Sequence, residues 1–167
     1  MKNLKDLMAT ILFIGSIFLV IHFQNNTYVY WGVGIVIPSF LLLNWSIRKS
    51  LNYKSYFLSK YNIFTAKYSN TIQVDLSVNT AFEKLKEVLD ESSFKIVDIN
   101  YDDYEILVIS KMSVWSLSEN LYLSVQSTSN GSKILVEIST LFSVYSWGKN
   151  EENFKNLFKK FEESFII

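Results

Sequence analysis

Two apolar runs without a charged residue open the chain and constrain it more than any other feature. Leu7 to Phe23 reads LMATILFIGSIFLVIHF, and Tyr28 to Ile47 reads YVYWGVGIVIPSFLLLNWSI. Neither holds Lys, Arg, Asp or Glu. A membrane-crossing helix takes about 20 apolar residues, within a range of about 17–25. Both runs meet that length, and QNNT between them leaves room only for a tight turn. The runs therefore predict a transmembrane helical hairpin over residues 1–47, with spans at about 7–23 and 28–47. Tyr28, Tyr30 and Trp31 at one end of the second run and Trp45 at the other stand where interfacial aromatics gather. Pro38 lies inside that run and is expected to bend its helix. A cleaved signal peptide fits Lys2, Lys5 and the first apolar centre, but no small-residue cleavage site follows.

The charges divide along the chain. Residues 1–70 carry seven Lys/Arg and one acid, whereas residues 71–167 carry nine and fifteen. Lys and Arg accumulate on the cytoplasmic side of short membrane loops. Lys2 and Lys5 flank the first run, QNNT is uncharged, and a basic stretch follows the second. The expected location is the inner (cytoplasmic) membrane of a bacterium, multi-pass, with both termini cytosolic and the lipid bilayer as a partner.

The basic stretch spans residues 48–70, RKSLNYKSYFLSKYNIFTAKYSN. Arg48, Lys49, Lys54, Lys60 and Lys67 face no acid there. Tyr53, Phe57, Tyr61, Phe64 and Tyr68 recur at helical spacing. One reading is a helix lying on anionic headgroups, with the five cations as membrane-surface residues worth about 1 kcal/mol each. The other is a positively charged linker whose aromatics pack on the following domain.

From residue 71 the pattern changes. TIQVDLSV alternates as a half-buried strand, and NTAFEKLKEVLDES follows as a helix with Thr80 and Glu83 as a capping-box pair. FKIVDIN and YEILVIS flank a turn at Tyr101–Asp103. ENLYLSVQ and KILVEISTLF alternate on either side of Asn130-Gly131, a hairpin signal. NEENFKNLFKKFEESF closes the chain as an amphipathic helix with Asn150 as N-cap. The expected fold class is α+β: a cytosolic two-layer domain over residues 71–167, order β-α-β-β-β-β-α, with an antiparallel sheet packed on two helices.

The stretches VDLSVNTAFEKLKEVL, KMSVWSLSENLYLSV and SWGKNEENFKNLFKKF together resemble the bacterial family called domain of unknown function 1499. That resemblance implies a helix, a strand meander and a closing helix, and no established activity. The family's Cys-containing N-terminal stretch has no counterpart here. A looser resemblance is to helix-grip domains that hold lipids, which have more strands and a longer closing helix.

Chemistry is sparse. There is no Cys, and His22 is the single His, so a conventional zinc site and His-dependent nucleophilic catalysis have no ligand set. Asp98, Asp102, Asp103 and Glu105 gather at a turn without EF-hand spacing. No phosphate-binding glycine loop is present. The acidic C-terminal part argues against nucleic acid. No cofactor and no enzymatic activity are expected. Met112, Trp115 and Leu117 cannot all hide on one face of a strand, and Tyr145 and Trp147 pose the same problem before the last helix. These five are the candidate contacts for a partner or a lipid. The expected function is a membrane-anchored, non-enzymatic interaction module that binds a protein partner or acts as an accessory subunit of a membrane complex, with a protein or a second copy of the chain as partner. The alternative is a lipid-binding or lipid-sensing domain.

Overall fold

The structure, a computed structural model, describes His22, residues 27–112 and residues 118–165. The chain divides into two compact units, Met1–Arg48 and Lys49–Ile167.

In the first unit a single helix, α1 (Thr27–Ile47), is described, with Pro38 inside it. Its polar side chains near the C-terminus bond back to the helix. Asn44 Nδ2 donates to the Phe40 carbonyl at 2.9 Å and Ser46 Oγ to that of Leu42 at 2.9 Å. Arg48 lies over the Trp45 ring, 4.6 Å from its centroid. The expected first span lies outside the described residues except for His22.

Among the described residues no helix is long and apolar enough to cross a membrane. That finding corrects the transmembrane hairpin, and with it the multi-pass topology, the inner-membrane location and the anchoring part of the expected function. The reason lies in the make-up of α1. Along α1 the apolar residues are interrupted by Gly32, Gly34, Pro38 and Ser39, and Asn44 and Ser46 follow Leu43. A span takes about 20 apolar residues. Being uncharged is a weaker property than being continuously apolar.

The second unit is α+β. After a short 3₁₀ turn at Leu51–Tyr53, its elements are α2 (Lys54–Leu58), β1 (Thr65–Val74), α3 (Val78–Asp90), β2 (Lys95–Asn100), β3 (Glu105–Ile109), β4 (Glu119–Thr128), β5 (Gly131–Leu141) and α4 (Lys149–Glu163). The five strands form one antiparallel sheet in the order β1-β5-β4-β3-β2. The first strand thus pairs with the last, and the rest form a meander.

Strand alternation sets the sheet's two faces. Val125, Leu123 and Leu121 stand opposite Ile134, Val136 and Ile138, with Ile106 and Val108 beside them. All are buried against α3 and α4. Helix α3 contributes Ala81, Phe82, Leu85, Val88 and Leu89, and α4 contributes Phe154, Leu157 and Phe161. Fully burying one such Leu or Phe contributes about 1.5–3 kcal/mol. Helix α3 is capped by Ser77, whose side chain accepts from the Thr80 N–H at 3.2 Å, so the expected Thr80–Glu83 capping box is displaced. Helix α4 starts from Gly148 at φ 79°, not from Asn150.

The opposite face is covered as well, which corrects the two-layer expectation. Residues 50–58 cross it as a strap. The Leu51 N–H donates to Asp98 Oδ2 on β2 at 2.8 Å. Lys54 Nζ meets Glu105 on β3 at 2.7 Å and Glu137 on β5 at 3.3 Å. Phe57 is 0% exposed, and Thr65 Oγ1 donates to its carbonyl at 3.1 Å. The basic stretch is therefore not one aromatic-striped helix. It gives a short helix, a loop and the first six residues of β1.

Candidate functional site

Strand register brings three connections to one end of the sheet. Thr65 opens β1 opposite Leu141, the last residue of β5. Glu119 opens β4 opposite Thr140, and Ile109 ends β3 opposite Asn120. Residues 59–64, 110–112 and 142–148 therefore emerge from the same end of the sheet. The Ser143 N–H donates to the Phe64 carbonyl at 3.1 Å, tying the first of these segments to the third.

Three of the five predicted contact residues are described there. Met112 is exposed, and so is Tyr145. Trp147 is 82% exposed, with its ring centroid 6.0 Å from that of Tyr145 at a 48° tilt. Trp115 and Leu117 lie outside the described residues. The 142–148 connection holds two non-glycine residues with left-handed backbone, Phe142 at φ 54° and Trp147 at φ 51°. Each such residue costs about 1–2 kcal/mol. Ser143 steadies the turn by donating to the Tyr145 carbonyl and accepting from the Tyr145 N–H at 3.3 Å.

Sequence reasoning missed Tyr61 and Phe64 as members of this end. Tyr61 is 79% exposed, and Phe64 is exposed too. Helical spacing had placed them on a stripe with Phe57 and Tyr68. In the fold Phe57 is buried under the strap, while Tyr68 lies in β1, 5.7 Å from the Phe154 ring.

Beneath the exposed aromatics is a buried polar cluster. Glu119 is 0% exposed. Its carboxylate accepts from Ser110 Oγ and, at 2.8 Å, from Asn153 Nδ2 on α4. Asn150 Oδ1 accepts from Thr140 Oγ1 at 2.7 Å, and Asn150 Nδ2 donates to the Ala66 carbonyl at 3.3 Å. These bonds fix the base of the 110–118 loop and the first turn of α4 to the sheet. The signal for Glu119 was present in the alternation, since it shares the inward phase of Leu121, Leu123 and Val125.

The five predicted surface cations do not act together. Arg48 is buried in the first unit, and Lys49 is exposed. Lys54 bridges two carboxylates of the sheet, and Lys67 Nζ donates to the Asn62 carbonyl at 2.7 Å. Lys60 lies 5.1 Å from the Tyr61 ring centroid. Three of the four acids at the first hairpin are also occupied: Asp98 by Leu51, Asp103 by Asn100 Nδ2 and Glu105 by Lys54. Among the described residues no group of three metal-ligating side chains occurs.

No family model matches this chain. No curated protein matches it either. Solved structures do. Ara h 8.0201 matches over 61% of this chain and 98% of its own, at TM-score 0.50 and 9% identity. TTHA0849 from Thermus thermophilus covers 59% of this chain and 94% of its own, at TM-score 0.38 and 13% identity. The di-domain ARO/CYC StfQ of the steffimycin biosynthetic pathway covers 62% and 53%, at TM-score 0.39 and 11% identity. The chain has an α+β fold like that of Ara h 8.0201, and at 9% identity the likeness is one of fold.

Proposed function

We propose that the Lys49–Ile167 unit is a non-catalytic binding domain whose contact surface is the loop end of the sheet, centred on Tyr145 and Trp147. One observation carries this reading. An indole is held 82% exposed beside a second aromatic ring, on backbone that costs energy to hold. Trp and Tyr are the side chains that most often dominate protein interfaces. The unit contains no His and no Cys, so neither a Ser–His nor a Cys–His pair can be built from it.

The other expectation was a lipid held between sheet and helices. That needs room, and Phe82, Leu85, Leu157 and Phe161 fill the space with almost no exposure. A partner at the loop end needs no such opening.

A photo-crosslinking amino acid at position 147 in the full chain, in its native cells, tests the proposal. The expected result is a discrete adduct from position 147 that is absent when the same group replaces exposed Lys155. An adduct of twice the chain mass would identify the partner as a second copy. No adduct from position 147 beyond that from position 155 would overturn the reading.

A further inference from the structure

We infer that two copies of this chain pair through β1, antiparallel and edge to edge, so that their sheets run on as one. This surface is separate from the loop end and does not depend on it. Among the described residues β1 has a neighbouring strand on one side only, since the order is β1-β5-β4-β3-β2. An edge strand offers a row of backbone donors and acceptors to another chain, and proteins blunt such edges with short strands, bulges or covering segments. The other edge of this sheet is blunted. Strand β2 has six residues, its register shifts between Ile96 and Asp98, and Asp98 accepts from the Leu51 N–H of the strap. Strand β1 is long and regular by comparison. It pairs with β5 over ten residues without a shift, contains no Pro, and exposes Ser69, Asn70 and Thr71 in succession.

The outward backbone groups belong to the odd-numbered residues. The Ser143 N–H reaches the Phe64 carbonyl from the β5 side, whereas the Thr71 N–H donates to the Asn70 side chain at 2.8 Å. These directions alternate along a strand, so Ser69, Thr71 and Gln73 turn their N–H and C=O outward. A two-fold axis at Thr71 lets each Thr71 exchange both bonds with its counterpart and sets Ser69 opposite Gln73. The same register sets Lys67 opposite Asp75 of the second copy, on both sides of the axis. That charge complementarity selects a second copy over an unrelated strand. Lys67 Nζ carries three donors, enough for the Asn62 carbonyl at 2.7 Å and that carboxylate together. Apolar area comes from the helix side of the edge. Half-buried Tyr68 and Ile72 stand there, and half-buried Phe158 stacks on Phe154, whose ring lies 5.7 Å from that of Tyr68.

The chain has no Cys, so single Cys variants of the full chain report the register directly. Facing residues that exchange both bonds have Cα atoms about 5.5 Å apart, within disulfide reach. Thr71→Cys should therefore oxidise to a dimer of two 19.5 kDa chains. Ser69→Cys, also exposed, should not, because its counterpart lies about 13 Å further along the strand. Sedimentation of the unsubstituted chain should show the dimer without any cross-link. Its dissociation constant should rise at least about tenfold in Thr71→Lys, which puts like charges face to face. A lysine on an exposed edge leaves the single chain folded. A species of single-chain mass up to roughly 100 µM would overturn the inference. So would a dimer that survives Thr71→Lys, or equal disulfide yields from Thr71→Cys and Ser69→Cys.

Discussion

Ser110 and Glu119 share three hydrogen bonds across the base of the β3–β4 loop. Ser110 Oγ donates to the Glu119 carboxylate and accepts from the Glu119 N–H at 2.8 Å. The backbone repeats the pairing, with the Ser110 N–H donating to the Glu119 carbonyl at 2.9 Å. The carboxylate's further bond to Asn153 joins this loop base to α4.

Removing that side chain strands buried donors. Glu119→Ala leaves Ser110 Oγ and Asn153 Nδ2 without their acceptor, and a stranded buried group costs about 1–3 kcal/mol. We expect a total loss of about 3 kcal/mol, read as a lower urea midpoint. Glu119→Gln keeps one acceptor and the volume and should cost about 1 kcal/mol. Equal effects of the two substitutions would mean that the carboxylate is not what holds the cluster.

Two glycines with positive φ should respond differently to alanine. At Gly131, φ is 123° and an added Cβ would sit 2.3 Å from the Val74 carbonyl oxygen, so Gly131→Ala must shift β1 or the hairpin. We expect a cost of about 2–3 kcal/mol. At Gly148, φ is 79° and nothing lies within 4 Å of an added Cβ, so only the backbone penalty of about 1 kcal/mol applies. Similar midpoints for the two variants would contradict the close approach of the hairpin tip to β1.

The pattern of residues 71–167 made much of this sheet and both of its helices legible. Ile134, Val136 and Ile138 alternate because one sheet face meets α3 and α4 while the other carries polar groups. Phe82, Leu85 and Leu89 recur at helical spacing for the same reason. The start of β1 was not legible. Lys67, Ser69 and Thr71 face the strap side and Tyr68, Asn70 and Ile72 the helix side, so no apolar alternation marks AKYSNT. The strap itself was hidden because one buried ring, Phe57, secures it, and its neighbours Tyr53, Tyr56 and Tyr61 are exposed. At the candidate site, apolar side chains too numerous for one strand face flagged Met112, Tyr145 and Trp147, but only long-range pairing of Thr65 with Leu141 adds Tyr61 and Phe64.

Lys86 gives a pH prediction of definite sign. Its bond to Glu83 at 2.8 Å, with the Glu83 charge and the Tyr101 ring alongside, raises its pKa above the ordinary 10.5. A raised lysine pKa contributes stability that is fully present below the unfolded value and is lost as pH rises through the folded one. Lys86→Met should therefore narrow its stability gap to the unsubstituted protein as pH climbs above 10.5. A gap constant from pH 8 to about 11.5 in urea titrations would show that the pair contributes nothing.

The ion bridge of the strap should be weak and salt-dependent. Lys54, Glu105 and Glu137 are each about a quarter exposed, so solvent screens them. We expect Lys54→Met to cost about 0.5–1 kcal/mol at low salt and less at about 0.5 M NaCl. Adding Glu137→Gln to it should recover part of the loss, because Glu105 then no longer faces a second bare carboxylate. A loss that ignores salt would assign Lys54 a packing role through its methylenes.

Whether residues 50–58 are a linker or part of the domain turns on Phe57. A linker tolerates truncation of any of its rings. A strap whose single fully buried ring fills the second face of the sheet does not. Phe57 is 0% exposed and meets Tyr56 edge-on at 5.0 Å, while Tyr61, four residues on, is 79% exposed. Phe57→Ala should therefore cost about 3–5 kcal/mol, the range for removing a buried aromatic side chain. Tyr61→Ala should stay within about 0.5 kcal/mol of the unsubstituted protein, as surface substitutions do. Hydrogen exchange adds a local readout. In the Phe57→Ala variant the Leu51 N–H, bonded to Asp98, should lose its protection before the β4–β5 ladder does. Equal, small effects of the two alanines would return the stretch to a linker and leave the second face of the sheet without its cover.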